Sequence, residues 1–152
     1  MVFLTHVWSP AVAAHFRRLR AEAADVVDVF LAFQAPDANN VPADAPVDIL
    51  VTPDKWQALQ PQRYAECVAS GGSIYMFADL VLMAALNDPV LDAYEHRWFV
   101  EYDVDFSGNW RDFFEQAVAY EGDMLAVHIC MKSQLPDFDH WYWYAQPDRV
   151  AL

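Results

Sequence analysis

Apolar positions fall in short blocks separated by polar, proline-containing or glycine-containing punctuation. Residues 2–7 form an apolar run suited to a buried first strand. Ser9 and Pro10 then provide an N-cap and a first helical position, which predicts a helix over residues 11–24. Arg17, Arg18, Arg20 and Glu22 form its polar, solvated face. Residues 26–33 are β-branched and aromatic and predict a second strand.

Residues 34–46 hold three prolines and two asparagines and read as a loop. A short third strand follows at 47–51. Thr52-Pro53 repeats the helix-start device and leads a helix toward Leu59. Gly71-Gly72-Ser73 breaks the chain. Residues 74–86 read as an apolar helix, stopped by Asn87-Asp88-Pro89.

A fourth strand is expected at 97–104. Asn109 caps the next helix, with Asp112 near the place of a capping-box acid. That helix runs to about Tyr120, and Gly122 ends it. Residues 124–130 predict a fifth strand. The tail, 135–152, is irregular and aromatic (Phe138, Trp141, Tyr142, Trp143, Tyr144).

Strands separated by helices imply an α/β fold: a mainly parallel, Rossmann-like sheet with helices on both faces. In such sheets ligands bind off the carboxyl ends of the strands. Those ends fall near residues 5–8, 33–35, 51–52, 103–108 and 129–132.

Length and composition then narrow the picture. The chain has 152 residues, a one-domain length, and 56% hydrophobic composition gives it enough apolar surface for a core. Its net charge of −13 repels phosphate backbones, which argues against general nucleic-acid or anionic-membrane binding. A phosphate ligand would need local positive charge, and a divalent cation is the obvious source. Cys67 and Cys130 lie in apolar surroundings and read as buried free thiols. With neither a signal-type leader nor an apolar run of membrane-span length, the expected location is the cytoplasm.

Candidate chemistry concentrates in HRWFVEYDVDFSGNWRDFF, residues 96–114. Strand alternation would place Glu101, Asp103 and Asp105 on one face. Two unit charges about 6.5 Å apart repel by about 2.5 kcal/mol at an effective dielectric of about 20. Such a cluster persists if it bonds amides, protonates or binds a cation. Hard carboxylate oxygens suit Mg²⁺ or Mn²⁺ shared with ligand phosphates. Glu101 lies deeper in the strand, where bonding to backbone amides is as natural as a site role.

This segment resembles the Asp-x-Asp region of a family of GT-A-like glycosyltransferases. The upstream helix over residues 72–86, the 87–94 connection and the first strand match the family's order. The resemblance is specific at 96–114 and covers residues 2–145 more loosely. It implies that Asp103 and Asp105 hold Mn²⁺ or Mg²⁺ against the diphosphate of a nucleotide sugar, with Asp103 also touching the nucleotide. It also implies that the base lies over the end of the first strand, at Thr5, His6 and Trp8, and Asp79 is a candidate ribose contact. Family members are longer, and their second half supplies the acceptor pocket. The expectation is therefore a single donor-binding domain over residues 1–152, corresponding to the N-terminal half. Its aromatic tail at 135–152 packs on the domain or joins two copies.

Two further readings remain open. Asp103-Val104-Asp105 also resembles the first motif of haloacid-dehalogenase-type phosphatases, in which the first Asp is the nucleophile and the second a general acid. That family places the motif near the N-terminus, whereas here about a hundred residues precede it. The other reading is a non-catalytic binding or association domain. His6, His15, His96, His128 and His140 show no zinc spacing. His128 reads as a bonded core histidine and His140 as part of the packed tail.

Overall fold

The structure, a computed structural model, describes residues 1–71 and 77–120. The expected strand at 124–130 and the aromatic tail lie outside those residues. So do Cys130, His128, His140, Gly72, Ser73, Gly122 and the first part of the helix expected at 74–86.

Among the described residues the elements are β1 (Val2–Thr5), α1 (Pro10–Ala23), β2 (Phe30–Gln34), β3 (Ile49–Val51), α2 (Pro53–Leu59), α3 (Pro61–Ala69), α4 (Ala78–Leu86), β4 (Phe99–Glu101) and α5 (Trp110–Val118). The four strands form one sheet in the order β3-β2-β1-β4, and every neighbouring pair is parallel. The fold is therefore α/β with a parallel sheet, as the alternation of elements predicts.

The side-chain period of two assigns each strand residue to a face. Phe3, Leu31 and Val100 stand side by side in register and pack on one face with Phe16, Leu19 and Ala23 of α1 and Trp110 and Phe114 of α5. Val2, Leu4, Ala32, Ile49 and Val51 face the other way, against Val81, Ala84 and Ala85 of α4 and against Leu91. Both faces are covered, so the strands carry near-continuous apolar runs. The β2–β3 crossover contains only a 3-10 turn at Ala38–Asn40, and Ala45 and Val47 cover the sheet where a crossover helix would lie.

Several expected boundaries shift for local reasons. The amides of Val26 and Val27 bond the carbonyl of Ala23, so these residues close α1 rather than open β2. β1 ends at Thr5, whose hydroxyl donates to the Val7 carbonyl at 2.6 Å and accepts from the Val7 amide at 3.0 Å. α3 was not expected. Pro61 is its first residue, and Gln60 before it is held out of the helical region at φ −140°, ψ 72°, as a residue preceding proline is. Among the described residues three α-helices, not two, thus link β3 to β4.

The largest correction is at β4. A strand over 97–104 would carry Glu101 and Asp103 on one face with Asp105 just past its end, but the strand ends at Glu101. The Tyr102 amide still reaches the Leu4 carbonyl at 3.0 Å, and then the Val104 amide turns back to the Glu101 carbonyl at 3.0 Å. The turn breaks the alternation. Glu101, Asp103 and Asp105 are all solvent-exposed, which relieves the repulsion that a buried acidic face would suffer.

Candidate functional site at the β1–β4 crevice

From β1 the chain moves outward through α1 to β2 and then β3. It returns through α2, α3 and α4 to place β4 on the other side of β1. The strand order reverses between β1 and β4, so the crevice at their carboxyl ends is the topological switch point where open parallel sheets bind ligands. A cavity of about 300 Å³ lies there. Leu4, Val81 and Leu82 give it an apolar floor, and Gln34, Glu101 and Asp103 give it a polar rim.

Of the residues singled out from sequence, the fold brings Thr5, His6 and Asp103 together on this crevice. Thr5 is buried and its hydroxyl is spent on the turn at Val7, so it shapes the mouth. His6 is exposed, and its ring meets the edge of Tyr102 at 5.2 Å. Asp103 and Glu101 both border the crevice, and neither carboxylate has a hydrogen-bond or ion-pair partner among the described residues. The first turn of α4 forms part of the wall through Ala78, and Phe77 at its N-cap offers no side-chain bond to the helix amides.

The other three candidates stand elsewhere. Trp8 packs edge-on against Phe16 at 6.1 Å and joins the core on the α1 face. Asp79 is gripped by Arg63, whose Nε lies 3.1 Å from one carboxylate oxygen and whose guanidinium sits 4.3 Å over the Phe77 ring. Asp105 is bonded through both oxygens to Nη1 of Arg18, at 3.1 and 3.2 Å, and accepts the Phe106 amide at 2.7 Å.

Arg18 is the residue that sequence reading under-rated. Besides Asp105 it donates to the carbonyls of Phe106 at 2.7 Å and Gly108 at 3.0 Å, and through Nε to Glu22 at 3.1 Å. Its bond to Glu22, ahead of the charge of Asp105, raises its pKa above the ordinary arginine value. Glu22 in turn accepts the Trp110 amide at the start of α5 at 3.0 Å. His15 lies on the same side of α1, with Nδ1 3.3 Å from the Tyr102 carbonyl and Nε2 3.5 Å from Asp105. The one sequence-level signal of this network is the spacing of Arg18 and Glu22, which suits a helix ion pair.

The implied cation can be tested against this geometry. Asp103 and Asp105 do not present as two free carboxylates to one ion, because Arg18 already occupies Asp105. Among the described residues no group of three His, Cys, Asp or Glu side chains is placed to hold a metal. Asp103 and Glu101 remain as hard oxygen donors on the crevice, a donor type and number that suit an ion shared with ligand phosphates.

Fold and crevice together define a parallel α/β domain with a ligand-sized cleft at its switch point. No family model, curated protein or solved structure matches the chain. Among the described residues no helix is long and apolar enough to cross a membrane.

Proposed function

We propose that the β1–β4 crevice binds a nucleotide sugar, in the manner of the donor half of a glycosyltransferase. The observation that carries this reading is the convergence of Thr5, His6 and Asp103 from two separate strand ends on one cavity at the switch point. A cavity of about 300 Å³ is at the small end for ligand sites and takes a nucleoside-sized group. Its apolar floor suits a base or ribose face, and Gln34 and Asp103 suit the ribose hydroxyls and base edges.

The phosphates need positive charge that a chain of net charge −13 lacks overall. The first turn of α4, to which Phe77 gives no side-chain cap, borders the crevice through Ala78 and would favour a phosphate there. Mn²⁺ or Mg²⁺, held by Asp103 with Glu101 beside it, would neutralise the diphosphate.

Calorimetric titration with UDP- and GDP-sugars, with and without Mn²⁺, tests the proposal. Binding that depends on the cation and falls tenfold or more in Asp103→Asn is expected, a loss of about 1.4 kcal/mol. If no sugar nucleotide binds at millimolar concentration in either condition, the reading fails.

A further inference from the structure

Three polar residues of α1, His15, Arg18 and Glu22, recur at helix-face spacing and all reach the segment 102–110. The guanidinium of Arg18 is the hub. Its Nε, Nη1 and Nη2 are all engaged, and the carbonyls of Phe106 and Gly108 both turn toward it. The loop is therefore wrapped around a cation supplied by the chain itself. A metal ion taking both oxygens of Asp105 would compete with that guanidinium, and displacing it would leave two carbonyls without their donor.

The geometry points to a division of labour within the Asp-x-Asp: Asp105 is the anchor of the crevice loop, and Arg18 is the positioning residue that sets where Asp103 stands. This rests on the crevice being a ligand site. Only one residue separates Asp103 from Asp105, so a shift of the anchored acid is passed directly to the crevice acid. The inference departs from the role that the Asp-x-Asp resemblance implies for Asp105. It places a binding determinant on α1, outside the motif.

The two roles predict opposite signs. If Asp105 were a cation ligand masked by Arg18, then Arg18→Met would free it and strengthen Mn²⁺-dependent sugar-nucleotide binding, while Asp105→Asn would weaken it. If Asp105 is an anchor, both substitutions weaken binding, each about fivefold to tenfold, and the double variant is no weaker than Arg18→Met alone. Arg17→Met removes the same charge from the same helix and serves as the control for a purely electrostatic effect. It is expected to change affinity less than twofold. Arg18→Lys keeps the charge but not the fork, and is expected to stay weakened. Strengthened binding in Arg18→Met, or full recovery in Arg18→Lys, overturns the assignment.

Amide hydrogen exchange separates this inference from the nucleotide reading. In ligand-free protein the Phe106 amide should exchange at least tenfold faster in Arg18→Met and in Asp105→Asn, with no further gain in the double variant. Should the wild type bind no sugar nucleotide, the crevice assignment falls while exchange still decides the anchor. Unchanged exchange at Phe106 in Arg18→Met sinks it.

Discussion

Oε2 of Glu22 accepts a hydrogen bond from the Trp110 amide at 3.0 Å, so a side chain of α1 satisfies one of the unpaired donors at the start of α5. Asn109, the N-cap, satisfies the next one, the Arg111 amide, at 2.8 Å. The two helices on this face of the sheet are thus joined by a cap as well as by apolar packing.

That cap makes stability depend on pH in a defined direction. The Trp110 amide, and then the Arg18 guanidinium, hold the Glu22 carboxyl below its ordinary value. A depressed folded-state pKa means that the contribution is present above the unfolded glutamate value, about 4.3. It is lost as pH falls through the lower folded value. Glu22→Gln should lower the melting temperature by a few degrees at pH 7, and the gap from wild type should close as pH falls below the ordinary glutamate range. A gap that stays constant down to strongly acid pH would show that the charge plays no part.

Gly108 tests the loop from its other side. A Cβ built there would lie 2.6 Å from Cε1 of Phe106 and 2.8 Å from its Cζ. The Phe106 ring cannot retreat freely, because it is tilted against Trp110 and Phe113, each at 5.6 Å. Gly108→Ala should therefore cost about 1–3 kcal/mol as overpacking does. Intrinsic fluorescence should also shift as the environment of Trp110 changes. Denaturation midpoints equal to wild type would mean that the ring moves aside at no cost.

Phe114 lies at the centre of the same cluster. It is fully buried, stacked on Trp110 at 5.9 Å and approached edge-on by Trp98 and Phe113 at 5.8 and 5.1 Å. Phe114→Ala should destabilise the domain by about 3–5 kcal/mol, the range for an emptied aromatic core site. Against a typical total of about 5–15 kcal/mol, that is enough to leave the variant partly unfolded in mild urea. Equilibrium urea unfolding measures it, and a loss under about 1 kcal/mol would place Phe114 outside the cooperative core.

How much of this was legible in the sequence follows from the range of the forces involved. β1, α1 and α5 could be read because their apolar period and their caps, Ser9 and Asn109, are local signals. The parallel sheet followed from the alternation of strands and helices. The boundary of β4 could not be read, because the turn at Tyr102 and Asp103 leaves the alternating pattern of 98–105 intact as written. Arg18 was hidden for another reason. Its partners Asp105, Phe106 and Gly108 are remote in sequence, and a lone arginine on a helix face has the same local signature whether it is solvated or clamped. Thr5, His6 and Asp103 border one crevice because the strand ends that carry them are neighbours in the sheet, whereas Trp8 packs on the core because the chain turns at Thr5 before reaching it.

The crevice itself can be tested by filling it. Ala78 borders the cavity from the first turn of α4, is exposed, and packs in none of the core clusters. A tyrosine ring there would take up a large part of a space of about 300 Å³. It would remove no buried contact, so the cost to folding should stay within about 0.5 kcal/mol, as for most surface substitutions. Ala78→Tyr is therefore expected to keep the wild-type melting temperature within a few degrees and to weaken sugar-nucleotide binding tenfold or more, without altering any acid. Asp103→Asn should weaken it by removing a ligand of the cation, so its effect should vanish when Mn²⁺ and Mg²⁺ are left out. The steric block should be independent of the cation. A bound sugar nucleotide whose affinity is untouched by Ala78→Tyr would have to occupy another part of the molecule.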